Sequence, residues 1–167
     1  MDDLEKNFNR VIHFLSYRPR SEKEIIDYLK KKNSYSKVQE GEEKEKLDIM
    51  IAAIVGNLKE HKFINDEEFA RIWISQRTKI KPRSLRIIKR ELIEKGIDKE
   101  KIDELLADSE NEVPSDFQMA FSLAQKRAKR YIGLPKQEFF EKMGRYLASR
   151  GFNYDIIKEV INKISNS

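Results

Sequence analysis

The sequence contains no cysteine among its 167 residues. That absence excludes disulfide bonds, thiolate zinc sites, iron–sulfur clusters and thiol nucleophiles, and it fits a reducing compartment. Long apolar runs are also missing, since no stretch approaches the roughly 20 residues that a membrane-spanning helix needs. The N-terminal segment Met1–Lys6 is acidic and then mixed, unlike the basic and apolar regions of a signal peptide. We therefore expect a soluble, cytoplasmic protein with no membrane partner.

Residues that build catalytic and cofactor sites are scarce. The two histidines, His13 and His61, have no second histidine or carboxylate pair at metal-ligand spacing. The six glycines are scattered and form no phosphate-binding loop, dinucleotide fingerprint or nucleophile elbow. Acidic residues are plentiful, but carboxylate pairs arise by chance in any highly charged helical protein. The sequence predicts no catalytic residue, metal, cofactor or small-molecule substrate, and therefore a protein that is not an enzyme.

The apolar residues that are present follow helical spacing. Strand signals are few, because apolar and polar residues rarely alternate and only four prolines and six glycines interrupt the chain. Leu85, Ile88 and Leu92 form one stripe of a helix that begins near Ser84 and ends at Gly96, which can adopt the left-handed conformation of a helix stop. Nine phenylalanines, six tyrosines and one tryptophan supply apolar area for a core. The predicted fold class is all-α.

Parts of the chain repeat. Arg90–Ile97 recurs 55 residues later as Arg145–Phe152, and in both copies a helix, a glycine stop and a second short helix follow one another. Arg18–Ser21 returns 63 residues later as Lys81–Ser84. A further helical segment precedes each copy. The sequence therefore predicts tandem three-helix repeats, three units in all.

The repeats divide the chain into three predicted domains. The first, 1–64, carries a polar insertion near 34–46 that we interpret as a mobile loop or a helix extension. The second, 65–110, is the central basic repeat, and the third is 111–167. Each repeat would be marginally stable alone, so neighbouring repeats are expected to share apolar surface in an elongated, curved array. We expect the protein to be a monomer.

Capping residues support the predicted helix starts. Two pairs have the spacing of a capping box, in which each side chain accepts a hydrogen bond from the backbone of the other residue: Ser21 with Glu24, and Ser115 with Gln118. Asn65 or Asp66 can cap the helix that follows them.

Charge is segregated along the chain. The 34 lysines and arginines nearly balance the 29 aspartates and glutamates, which gives a net charge of +5. Arg71–Arg90 contains eight basic residues and no acidic one, and Phe117–Gln137 is a second acid-free window with five basic residues. Acidic residues concentrate in Glu40–Asp48 and Asp98–Glu112. The candidate contact residues are basic side chains of the two windows: Arg77, Lys79, Lys81, Arg83, Arg86, Lys89, Arg90, Lys126, Arg127, Lys129 and Arg130.

Two interpretations of the basic windows are open. They can be solvated outer faces, as in many helical proteins, or they can bind an anionic partner such as nucleic-acid phosphates or an acidic protein surface. A solvated face normally mixes the two signs, whereas these windows place like charges together without local relief. The second interpretation is therefore favoured. Phe69, Trp73, Phe121 and Tyr146 have core spacing, and we interpret them as core residues rather than as base-stacking platforms.

Three segments together resemble the bacterial RecX regulators. They are Tyr17–Leu29, Asn65–Ala70 and Ile88–Ile97, in the family's order and spacing. The similarity covers nearly the whole chain and is weakest in the third repeat. The resemblance implies a protein of tandem three-helix repeats that binds the RecA filament on single-stranded DNA, with the DNA as a further partner. It also implies a non-catalytic inhibitor of the ATPase, strand-exchange and co-protease activities of RecA in recombination, DNA repair and the SOS response.

The resemblance assigns roles to individual residues. Asp66 looks like a helix cap, Phe69 and Leu92 look like core residues, and Gly96 looks like the helix stop. The basic candidates named above would contact the partner. Two other functions stay open: a general nucleic-acid-binding helical protein that acts on DNA directly, and an inert helical scaffold.

Overall fold

The computed structural model describes residues 3–108 and 113–165 of the chain. In those residues all regular structure is helical and no strand occurs, so the predicted all-α class is confirmed. The α-helices are Asp3–Ser16 (α1), Glu22–Lys32 (α2), Glu42–Glu60 (α3), Asp66–Ser75 (α4), Leu85–Glu94 (α5), Lys99–Ala107 (α6), Asp116–Ala128 (α7), Lys136–Ser149 (α8) and Tyr154–Ser165 (α9). Two short helices of other types are the 3-10 helix Tyr35–Lys37 and the π-helix Gln76–Ile80.

The chain divides into two compact units. The N-terminal unit is Met1–Ala70 together with Glu94–Asp98, and the C-terminal unit is Arg71–Ile93 together with Lys99–Ser167. The predicted domain boundary at 64/65 stays a prediction. The predicted boundary at 110/111 lies outside the described residues.

Helices α1, α2 and α3 pack around one apolar core in the N-terminal unit. Helix α2 contributes Ile25 and Leu29, which lie four residues apart and therefore on one face of the helix. The buried residues of this core are Val11, Ile25, Leu29, Ile51, Ile54, Val55, Leu58 and Ile64. Helix α2 begins with the predicted capping box, because Ser21 Oγ accepts from the Glu24 N–H and Glu24 Oε2 accepts from the Ser21 N–H, each at 3.2 Å.

The start of α4 corrects the role expected of Asp66. Asn65 caps α4, because its Oδ1 accepts hydrogen bonds from the N–H groups of Glu67 at 2.9 Å and Glu68 at 3.1 Å. Asp66 is the first residue of α4, and its carboxylate accepts a hydrogen bond of 2.8 Å from the N–H of Glu22, the first residue of α2. Asp66 therefore caps a different helix from its own. Burial raises the pKa of Asp66, and the bond from the Glu22 N–H opposes that shift only in part.

The same cross-helix cap occurs in the C-terminal unit. The carboxylate of Asp116, the first residue of α7, accepts a hydrogen bond of 2.7 Å from the N–H of Leu85, the first residue of α5. Helix α7 has its own predicted capping box, formed by Ser115 and Gln118. The core of this unit is built by α7, α8 and α9 from Met119, Ala120, Leu123, Ala124, Met143, Leu147, Phe152, Ile157, Val160 and Ile161.

Two glycines end helices in the left-handed conformation. Gly96 follows α5 with φ +84°, and Gly151 follows α8 with φ +92°. Gly151 also permits a close approach between chain segments, since a Cβ atom there would overlap side-chain atoms of Ile87 and Ser84. Phe69 and Leu92 are buried, and Trp73, Phe121 and Tyr146 are half-buried.

The polar insertion near 34–46 is structured in two parts. Tyr35–Lys37 forms the 3-10 helix, and residues from Glu42 onward form the first turn of α3. Glu42, Glu43 and Glu45 lie in that first turn, where negative charge interacts favourably with the helix dipole. The helix-extension interpretation therefore describes the last residues of the insertion.

Candidate functional site

Three basic residues of the first window are neutralised by acidic residues that are distant in sequence. Arg71 pairs with Asp108 at 3.1 Å, Arg77 with Glu91 at 2.8 Å, and Lys89 with Asp103 at 2.6 Å. The hydrogen bond from Lys89 lowers the pKa of Asp103. The expectation that this window holds like charges without relief is therefore wrong for these three residues. Its physical error was to count only neighbours along the chain, whereas α5 and the segment from α6 to Asp108 supply the counter-charges.

Arg77 belongs to a half-buried network around one carboxylate oxygen. Arg77 Nε and Trp73 Nε1 both donate to Glu91 Oε2 at 2.8 Å. The guanidinium of Arg77 also lies 4.7 Å from the centre of the Trp73 ring. These contacts give Arg77 a structural role, because its charge and its Nε–H are already engaged within the unit.

Arg83 and Arg86 contact the end of α8. Arg83 Nη1 donates to the carbonyl of Ser149 at 2.9 Å, and Arg86 Nη2 donates to the carbonyl of Gly151 at 3.4 Å. Carbonyl groups at a helix C-terminus carry partial negative charge, which explains why cations gather there. Arg83 Nε is buried without a hydrogen-bond partner in the described structure. Neither arginine pairs with a carboxylate that the structure describes, so the positive charge of each is not offset by an ion pair.

Arg127 and Arg150 both lie against the ring of Tyr146, in the last turn of α8. The guanidinium of Arg127 lies 4.6 Å from the centre of the Tyr146 ring, and that of Arg150 lies 5.4 Å from it. Arg127 Nε also donates to the hydroxyl of Tyr131 at 3.1 Å, and this bond raises the pKa of Arg127. Rings and carbonyls orient these side chains without cancelling their charge.

Arg83, Arg86 and Arg127 thus contact the segment 146–151, which includes Arg150, and we call these four side chains the arginine cluster: Arg83, Arg86, Arg127 and Arg150. It joins the two basic windows at one place in the C-terminal unit. Sequence reasoning did not select Arg150. The available signal was its place in the repeat, since Arg150 precedes Gly151 as Lys95 precedes Gly96.

The remaining candidates are more exposed. Arg90 lies exposed on α5. Five others are exposed and form no ion pair with any residue that the structure describes: Lys79, Lys81, Lys126, Lys129 and Arg130.

Residues 3–108 and 113–165 hold no group of three or more His, Asp or Glu side chains that could bind a metal ion. None of the helices in those ranges is both long and apolar enough to cross a membrane. A cavity of about 540 Å³ is lined in part by residues of α1 and α3, among them Leu4, Leu47, Ile49 and Met50.

Comparison with known proteins identifies the three-helix groups. Models of the first, second and third three-helix domains of RecX match residues 8–33, 65–106 and 115–161. The chain is therefore a succession of three-helix domains, as the repeats predicted. The four members of the arginine cluster fall within the matches to the second and third domains.

Relatives and solved structures agree with the domain models. Regulatory protein RecX of Bacillus subtilis is 32% identical over 163 residues, which cover 98% of this chain and 56% of that protein. Regulatory protein RecX of Listeria innocua is 34% identical over 159 residues, or 94% of this chain and 53% of that protein. The crystal structure of RecX from Lactobacillus salivarius is 26% identical, with a TM-score of 0.65 and 99% coverage of both chains. The chain belongs to the RecX family, and it spans about half the length of the curated relatives that it matches.

Proposed function

We propose that this protein is a non-catalytic regulator that binds the RecA filament on single-stranded DNA and restrains its ATPase, strand-exchange and co-protease activities. Family membership supports the regulatory role, because the curated relatives are named regulatory proteins. One observation carries the proposed mode of binding. The arginine cluster brings together four positive charges that no carboxylate in the described ranges neutralises.

The chemistry of the cluster favours an anionic partner. Four guanidinium groups around one helix end repel one another, and binding of an anion relieves that repulsion. Arginine also presents a planar set of N–H donors that matches the oxygen atoms of carboxylates and phosphates. A protein filament on DNA offers both kinds of anion. The exposed lysines of the two windows extend the positive surface beyond the cluster.

The direct experiment measures ATP hydrolysis by RecA on single-stranded DNA while this protein is titrated in. We expect the hydrolysis rate to fall and to level off when the filament is saturated. A rate that stays constant at saturating protein would contradict the proposal. Saturation itself is followed separately, by co-sedimentation of the protein with the filament.

A second candidate function is direct binding to DNA, which the same arginine cluster would support. If all four arginines contact phosphates, the affinity for single-stranded DNA should depend on salt with a slope of log affinity against log salt of about −3, from roughly −0.7 per phosphate. Equal affinities for bare DNA and for the RecA filament would favour this candidate. A much higher affinity for the filament would favour the first.

The proposed place of action is the cytoplasm, and the proposed active form is a monomer. Light scattering coupled to size-exclusion chromatography tests whether the protein is a monomer. A mass near 19.8 kDa is expected, whereas twice that mass would contradict the monomer.

A further inference from the structure

Three large apolar side chains are mostly exposed to solvent. Ile132 is 84% exposed, Ile80 is 73% exposed and Tyr17 is 70% exposed, and these are the largest exposures of any large apolar residue that the structure describes. Each lies in the same kind of place. Tyr17 follows α1, Ile80 ends the π-helix after α4, and Ile132 follows α7, so each occupies the connection between the first and second helices of its three-helix domain.

Each connection has a proline shortly after the exposed residue. Pro19 follows Tyr17 and Pro82 follows Ile80 after one intervening residue, and Pro135 follows Ile132 after two. Proline fixes its own φ and restricts the residue before it, which limits the conformations of a short connection. The prolines therefore restrict part of each connection, which reduces the backbone entropy that is lost when a partner orders it.

Neighbouring contacts hold the two isoleucine connections in place. Before Ile80, Thr78 is buried and its hydroxyl donates to the carbonyl of Ile74 at 2.9 Å. After it, the N–H of Lys81 donates to the carbonyl of Gln76 at 2.9 Å. Before Ile132, Tyr131 lies edge-on to Phe139 with ring centres 6.2 Å apart. In both connections the residue next to the isoleucine is anchored while the isoleucine points to solvent.

Unpaired cations flank the two isoleucines. Lys79 and Lys81 lie on either side of Ile80, and Lys129 and Arg130 precede Ile132; all four are exposed and form no ion pair within the described ranges. At the first connection the cations are engaged, because Arg18 pairs with Glu24 at 2.7 Å and Arg20 stacks on Phe14 at 3.8 Å. An apolar centre with a basic rim fits a surface that has an apolar pocket with an acidic rim.

We infer that these three connections are apolar anchors that dock onto the protein subunits of the filament rather than onto its DNA. This inference rests on the proposed function and adds which part of the partner is contacted. Single exposed apolar residues are common and need no explanation. Recurrence of the most exposed ones at the same connection in three successive domains is different, since it suits a partner whose own surface repeats. A phosphate backbone offers no pocket for an isoleucine.

The test replaces the anchors without changing charge. The variants are Ile80→Ser, Ile132→Ser and Tyr17→Ser, and the matched controls are Ile93→Ser on α5 and Tyr154→Ser on α9, whose side chains are 49% and 66% exposed outside these connections. Affinity of each variant is measured for the RecA–DNA filament and, separately, for the single-stranded DNA alone. Because every substituted side chain is exposed, the variants should fold, and circular dichroism checks that they do.

We expect each isoleucine variant to bind the filament about tenfold more weakly, as burial of one large aliphatic side chain implies. The controls should stay within about twofold of the unmodified protein, and affinity for DNA alone should not change. Anchor variants that bind the filament as well as the controls would overturn the inference while leaving the proposed function intact. Equal losses on filament and bare DNA would also overturn it, because they would indicate insertion of the side chains between bases. Failure of the unmodified protein to bind the filament would instead remove the proposed function on which the inference rests.

Discussion

The Glu24 carboxylate is bonded by three residues of the N-terminal unit. Its Oε1 lies 2.7 Å from Arg18 Nη2 and 2.8 Å from Lys95 Nζ, and its Oε2 accepts from the Ser21 N–H. Burial alone would raise the pKa of Glu24, but the hydrogen bonds from Arg18, Lys95 and Ser21 outweigh burial and lower its pKa from 4.5 to about 2. One side chain thus completes a capping box and ties the residue before Gly96 to the start of α2.

The Glu24→Gln variant tests how much the negative charge of Glu24 contributes to stability. Glutamine can still accept from the Ser21 N–H, so the capping box survives while the two ion pairs are lost. We expect the free energy of unfolding at neutral pH to fall by about 2–3 kcal/mol, because Arg18 and the largely buried Lys95 both lose the negative charge of Glu24. Urea unfolding measures this loss of stability. Glu43→Gln, on the exposed start of α3, is the control, and its free energy of unfolding should change little.

The same pair of proteins gives a pH dependence. Since folding lowers the pKa of Glu24, its contribution is complete above its ordinary value of 4.5 and is lost as the pH falls towards about 2. The difference in stability between the unmodified protein and Glu24→Gln should therefore shrink over that range. A difference that stays constant from neutral pH to pH 2 would show that the charge of Glu24 is not its source.

Gly151 is the glycine whose replacement should cost most. Its φ of +92° is unfavourable for any residue with a Cβ atom, and that atom would overlap Ile87 and Ser84. We expect Gly151→Ala to lower the free energy of unfolding by about 2 kcal/mol. The matched control is Gly56→Ala, inside α3 with no atom near its added methyl group, which should instead stabilise the protein by about 0.5–1 kcal/mol. Equal effects of the two variants would contradict the role given to the backbone at Gly151.

At the scale of helices, the same kind of capping hydrogen bond links each three-helix domain to the next. The first residue of α4, Asp66, caps α2, and the first residue of α7, Asp116, caps α5. In both cases a carboxylate at the start of the first helix of one domain accepts a hydrogen bond from the backbone N–H that begins the second helix of the domain before it. The glycine stops follow the same pattern, since Gly96 lies against Lys23 of α2 and Gly151 against Ile87 of α5. The link between successive domains is therefore built twice from equivalent positions.

Asp116→Ala tests that link. The variant leaves the N–H of Leu85 without its acceptor, and we expect a loss of about 1–2 kcal/mol in the free energy of unfolding. Asp155→Ala is the control, because Asp155 also lies in the first turn of a helix but is exposed on α9. Thermal unfolding of the two variants should separate the lost cap from the lost interaction with the helix dipole. A melting temperature of Asp116→Ala equal to that of Asp155→Ala would argue against the link.

Sequence reasoning succeeds for helices where the partners are close in the chain. Ser21 and Glu24 are three residues apart, so the capping box can be read directly, and Leu85, Ile88 and Leu92 reveal a buried stripe by spacing alone. The role of Asp66 could not be read in this way, because its partner Glu22 lies 44 positions earlier and only the packed fold brings them together. Asn65 and Asp66 are both good caps by composition, and tertiary contact decides between them.

At the scale of the molecule, charge was predictable by region and not by residue. The basic windows were visible in the sequence, and the arginine cluster lies where they meet. Arg77 and Lys89 were indistinguishable from Arg83 and Arg86 until the fold placed Glu91 and Asp103 against them. Arg150 was missed because it lies outside both acid-free windows, and only the fold brings Arg127 and Arg150 to the same Tyr146 ring.

The cluster can be tested with variants that change net charge equally. Arg127→Gln with Arg150→Gln removes two cluster charges, and Lys31→Gln with Lys158→Gln removes two exposed charges elsewhere. We expect the first pair to raise the concentration needed for half-maximal inhibition of the RecA ATPase about tenfold, because loss of a well-placed charge weakens binding more than loss of general positive charge. The second pair should raise it by about twofold or less. Equal shifts would indicate that only net charge matters, and no shift in either would favour an inert scaffold.

The cap that Asp66 provides for α2 also bears on synthesis. A ribosome completes α2 before α3, and it adds Asp66 only after α3 has been made. Until then the N–H of Glu22 has no carboxylate acceptor, so the first domain leaves the ribosome with an incomplete helix start. Likewise, α5 must wait for Asp116. The first and second domains therefore reach their final stability only after synthesis of the next domain has begun, and a nascent chain should gain resistance to proteolysis in steps that trail the domains already synthesised.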